Sequence, residues 1–127
     1  MRARFVDDVM SRPVETVAPE TPLRTAATTM IERDVGALPV VEDGDLVGLL
    51  TATDLVALVG DGTVHDRVTA GDVGRGDVVT TTPDTPVTDA AATMLDHLIH
   101  HLPVTEEGTV VGIVSSMDLA AAVARSG

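Results

Sequence analysis

The sequence predicts an α/β fold of the α+β kind, in which one βαββα unit is written twice in tandem. Three observations predict it: an ungapped internal repeat, apolar residues at helical spacing after a Thr-Pro step in each copy, and two short apolar runs joined by turn residues further on. The repeat is the strongest of them. Pro19-Glu20-Thr21-Pro22 returns as Pro83-Asp84-Thr85-Pro86, Leu38-Pro39-Val40 as Leu102-Pro103-Val104, and Asp54-Leu55 as Asp118-Leu119, always 64 positions later.

Each copy reads in the same order. Val14 to Val17 and Val78 to Thr81 are short extended segments closed by turn formers. A helix follows, with Pro22 expected at its first position. Leu23, Ala26, Ala27, Met30 and Ile31 then share one face, as do Val87, Ala90, Ala91, Met94 and Leu95. Leu38 to Val41 and Leu46 to Leu50 are read as strands joined through Asp43-Gly44, a strong hairpin signal, with Glu107-Gly108 as its counterpart. A closing helix is expected from about Ala52 in one copy and Ser116 in the other. Gly60-Asp61-Gly62 breaks the chain between copies. The expected division is a first repeat at 6–60, a linker at 61–69 and a second repeat at 70–125.

Composition narrows the function. The chain has 127 residues, the size of one ordinary domain, so whatever it regulates is expected to be another chain. Only Phe5 is aromatic, which leaves no Tyr or Trp to stack on a base. The absence of Cys excludes disulfides, thiol catalysis and thiolate metal sites. No apolar run reaches the roughly 20 residues that span a bilayer, and no signal-peptide apolar region is recognisable, so a cytoplasmic location without membrane contact is expected. The formal net charge is −12, and all eight basic residues are Arg. Such a surface does not suit a phosphate backbone, so no nucleic-acid partner is expected. An acidic chain without Lys matches the composition of halophilic proteins, whose self-repulsion is screened by molar salt.

The repeat resembles the CBS domain family over nearly the whole chain, from about Val6 to Val123. The Leu-Pro-Val strand entry carries the resemblance together with the endings Gly48-Leu49-Leu50-Thr51-Ala52-Thr53-Asp54 and Gly112-Ile113-Val114-Ser115-Ser116-Met117-Asp118. The resemblance implies a CBS-domain pair, or Bateman module: two three-stranded sheets packed face to face, with flanking helices and two clefts between the copies. It also implies association into a homodimer.

Thr51-x-x-Asp54 and Ser115-x-x-Asp118 have a local explanation as capping boxes at helix starts. A carboxylate at such a start can also accept two hydrogen bonds from a cis-diol. In the family this Asp holds the ribose of an adenine nucleotide, and each cleft is shared across copies. The resemblance therefore implies a first cleft of Thr51, Asp54, Asp77, Val78, Val79, Ile99, His100 and His101, with the histidines toward phosphates. The second would comprise Val14, Glu15, Val35, Gly36, Ala37, Ser115 and Asp118, where no cation replaces the histidines and Glu15 opposes an anion. His97, His100 and His101 also admit a metal reading or a helix-dipole reading; no metal is expected, because no acid completes the set.

The function expected from this pattern is a regulatory sensor that binds AMP, ADP, ATP or S-adenosylmethionine. No cofactor is required and no catalysis is expected, since neither a nucleophile elbow nor a Walker-type loop is present. The rival reading is a ligand-free interaction or dimerisation scaffold acting on a partner protein.

Overall fold

Leu23, Ala26 and Met30 recur at helical spacing, and in the computed structural model, which describes residues 2–125, they are the buried stripe of α1 (Leu23–Arg33). Pro22 is the N-cap and not the first helical residue: its φ of −57° suits a helix, but its ψ of 140° keeps it extended. The helix ends on Asp34 at φ 54°, a left-handed conformation that a short polar side chain tolerates. Strands β1 (Ala37–Glu42) and β2 (Asp45–Thr51) pair antiparallel, with Ala37 opposite Thr51 and Leu38 opposite Leu50. Asp43 and Gly44 form the turn at φ 52° and 85°, both left-handed, as a primed two-residue hairpin requires. Helix α2 (Ala52–Asp61) follows directly, and Gly62 stops it at φ 69°. A single turn, α3 (Ala70–Val73), completes this part.

The second copy repeats these elements as α4 (Val87–His97), β3 (His101–Glu106), β4 (Thr109–Ser115) and α5 (Ser116–Arg125). Pro86 again caps from outside the helix, and Leu98 takes the left-handed position that Asp34 holds in the first copy. Regular pairing is confined to the two hairpins, so each sheet has two full strands, not three. The expected first strands are reduced to single parallel bridges, Val17 to Val40 and Thr81 to Val104. On the other side of each hairpin, one more bridge adds Arg75 to Leu49 and Ser11 to Ile113. Both hairpin edges are thus covered by short pieces of chain, which removes long open edges.

The chain divides into two compact units that do not coincide with the sequence repeats. One is Glu15–Val78; the other joins the residues up to Val14 with those from Val79 onward. In the first, Leu38, Val40 and Leu50 pack with α1 and with Val68 and Ala70, which lie beyond α2. In the second, Leu102, Val104 and Val114 pack with Ala90, Met94 and the fully buried Val6 from the start of the chain. Val6 is anchored there by its N–H donating to the Thr85 carbonyl at 2.8 Å. Ala70 and Val6 are equivalent positions 64 residues apart, so in each case the segment that opens one sequence repeat is built into the unit containing the other repeat's hairpin.

Candidate functional site

Within Glu15–Val78, the chain passes from β2 into α2 at Thr51 with no intervening loop. Thr51 is extended (φ −117°, ψ 158°), and its Oγ1 accepts from the Asp54 N–H at 3.2 Å. Asp54 returns the bond: Oδ2 accepts from the Thr51 N–H at 2.9 Å. This is the reciprocal capping box that the Thr-x-x-Asp spacing predicts. The helix start is tied back across the hairpin as well, since the Ala52 N–H donates to the Gly36 carbonyl at 2.9 Å. Asp54 therefore has one oxygen committed to its own backbone, while Oδ1 faces the Arg75 guanidinium at 3.5 Å. The Asp54 side chain is 10% exposed and that of Arg75 76% exposed.

Arg75 is the residue that sequence reasoning missed. It reaches Asp54 because its backbone pairs with Leu49 in both directions, at 3.0 Å each, and so lies along the outer side of β2. Gly48 permits the approach: a Cβ there would meet the Arg75 carbonyl oxygen at 3.2 Å. A register of 64 would have placed Arg75 opposite Ser11 in the repeat, but nothing in the sequence pairs it with Leu49.

The other unit has the same frame with different side chains. Ser115 N–H donates to Asp118 Oδ2 at 2.8 Å, Asp118 N–H donates to Ser115 Oγ at 3.1 Å, and Ser116 N–H donates to the His100 carbonyl at 2.9 Å. His101 opens β3 directly opposite Ser115, half-buried, where Ala37 stands in the first copy. Burial, reinforced by the like charge of His100, pulls the His101 pKa below its ordinary value against the opposing pull of Asp118. His100 itself is exposed. Helix α4 ends at His97, so His97, His100 and His101 do not share a helical face, and no cluster of three metal-ligating side chains occurs among the described residues.

The remaining expected site residues divide between the units. Glu15, Val35, Gly36, Ala37, Asp77 and Val78 lie with Thr51 and Asp54; Val14, Val79 and Ile99 lie with His100, His101, Ser115 and Asp118. Asp77 is exposed, Ala37 is buried, and the other seven of these nine are half-buried.

The family model for the CBS domain matches the chain twice, over residues 6–61 and 70–125. The chain belongs to the CBS domain family. This CBS pair is 35% identical to the CBS domain-containing protein YhcV of Bacillus subtilis, over 91% of this chain and 82% of that one. It is 33% identical to hypoxic response protein 1 of Mycobacterium tuberculosis, over 89% and 80% respectively. Among solved structures, it resembles the CBS domain pair of protein MJ0100 in complex with 5′-methylthioadenosine and S-adenosyl-L-methionine. That likeness has a TM-score of 0.90 at 28% identity and covers 97% of this chain and 98% of the other. The two capping boxes above are thus features of a CBS pair whose structural relative holds adenosyl compounds. No helix among the described residues is long and apolar enough to cross a membrane.

Proposed function

We propose that this CBS pair is a non-catalytic regulatory module that binds an adenosyl compound, AMP, ADP, ATP or S-adenosylmethionine, and passes its occupancy to a partner protein. The observation that carries the reading is the pair of carboxylates at the starts of α2 and α5. Asp54 and Asp118 each spend Oδ2 on their own backbone, which fixes the carboxylate; Oδ1, held in Asp54 only by the 3.5 Å contact to Arg75, can accept from a ribose diol. The adenosyl ligands of the MJ0100 pair support it. In this reading His100 and His101 serve the phosphates, and the apolar Val78, Val79 and Ile99 serve the base. The poorer second set, with Glu15, Gly36 and Ala37, holds its ligand less tightly. A ligand acts on the partner only through unequal affinity for two poses of the module.

Calorimetric titration of protein stripped of small molecules, with AMP, ADP, ATP and S-adenosylmethionine, tests it. At least one is expected to bind below millimolar concentration. Asp54→Ala is expected to cost about 1.5–3 kcal/mol, or roughly ten- to a hundredfold in affinity, the range for a hydrogen bond to a charged group. Absence of any such binding favours the scaffold reading instead.

A further inference from the structure

We propose that Arg75 is a specificity-determining residue of the Asp54 site, one that selects adenosyl ligands carrying a phosphate over uncharged ones. The inference rests on the nucleotide-binding reading and deepens it.

Three observations place a cation there by construction. The Arg75 backbone is fixed by its two hydrogen bonds to Leu49, so the base of the side chain cannot drift from β2. Gly48 keeps that approach open, since its missing Cβ would press on the Arg75 carbonyl oxygen. The guanidinium is largely exposed and touches Asp54 Oδ1 only as a 3.5 Å ion pair, longer than a hydrogen bond. A pair at this length, with its cation 76% exposed although Asp54 is only 10% exposed, is readily exchanged on the Arg75 side. A ribose diol that donates to Oδ1 displaces the guanidinium from the carboxylate without moving its backbone. The displaced cation then stays within side-chain reach of whatever the ribose carries. A phosphate completes its pairing, for which the planar guanidinium fork is well suited. Adenosine and 5′-methylthioadenosine, uncharged at that position, offer it nothing.

The equivalent position in the other unit is Ser11, which pairs with Ile113 just as Arg75 pairs with Leu49. The neighbouring Arg12 is engaged with Asp7 at 2.8 Å. The Asp118 site therefore lacks this guanidinium, so the permanent positive charge belongs to the Asp54 site.

The test titrates AMP, adenosine and 5′-methylthioadenosine into stripped wild type, Arg75→Ala, Arg75→Lys and Asp54→Ala. The Arg75 side chain is mostly in solvent, so its replacement leaves the fold intact, which thermal melts verify. Arg75→Ala is expected to weaken AMP at the Asp54-dependent site about tenfold or more and to leave adenosine and 5′-methylthioadenosine within about twofold. Arg75→Lys is expected to restore part of the AMP affinity. If AMP is unchanged, or AMP and adenosine weaken together, the proposal is overturned while nucleotide binding at Asp54 stands. If wild type binds none of these and neither ADP, ATP nor S-adenosylmethionine, both readings fall.

Discussion

His101 and Ala37 hold the same place in the two repeats, each opposite the hydroxyl residue that caps the next helix, yet only one of them titrates. Burial holds the folded pKa of His101 below the ordinary imidazole value of 6.5. Between the two values the unfolded chain binds more protons than the folded one, so stability rises with pH there. The fold is therefore expected to have its full His101 contribution above pH 6.5 and to lose it as the pH falls toward the folded pKa. Melts of wild type and His101→Gln between pH 8 and 5 check this: the acid loss should be smaller in the variant, and equal losses would assign it elsewhere. At this scale the sequence was informative where chemistry is local. Thr51 and Asp54 are three residues apart, and a capping box needs nothing beyond that spacing. Arg75 lies 21 positions from Asp54, and only the bridge to Leu49 brings them together, so its part could not be read from the chain.

Hairpins were legible at the level of elements, because Asp43-Gly44 and Glu107-Gly108 each supply two residues that adopt positive φ side by side. The first strands were not legible as what they are. Val17 and Thr81 satisfy a strand pattern, but each contributes one bridge, since a residue's propensity does not fix how many partners it finds. Helix ends differ instructively between copies. Asp34 and Leu98 both sit at φ 54°, where a side chain without local polar contacts costs about 1–2 kcal/mol. Leu98 is also 87% exposed, so it recovers little by packing. Leu98→Asn is accordingly expected to stabilise the protein by about 1 kcal/mol, seen as a rise of roughly 3–5 °C in Tm by circular dichroism. A lower Tm would mean that the leucine has a contact worth more than its backbone strain.

For the molecule as a whole, charge and uncovered apolar surface set the expectations. Four ion pairs form among the described residues, mostly between exposed groups, against a formal net charge of −12. Most carboxylates are therefore uncompensated, and Tm is expected to rise markedly from dilute buffer to molar KCl. Equal midpoints would remove the halophilic reading. Helices α2 and α5 bury no residue fully, and Val56, Val59 and Met117 are each at least 70% exposed. Apolar helix faces of this kind favour a closed symmetric assembly. Light scattering at high salt is expected to give about twice the 13.1 kDa chain mass, and a monomer over a wide concentration range would contradict it.

The offset between sequence repeats and compact units bears on how the protein is made. Glu15–Val78 is one uninterrupted stretch, complete as soon as its last residue has been synthesised. The other unit is closed by Val6, whose partners Ala90, Leu102 and Val114 are synthesised long afterwards. A chain emerging in order can finish the middle body first, and long-range closure is the slower kind of step. Residues that precede the middle body along the chain are thus placed after it.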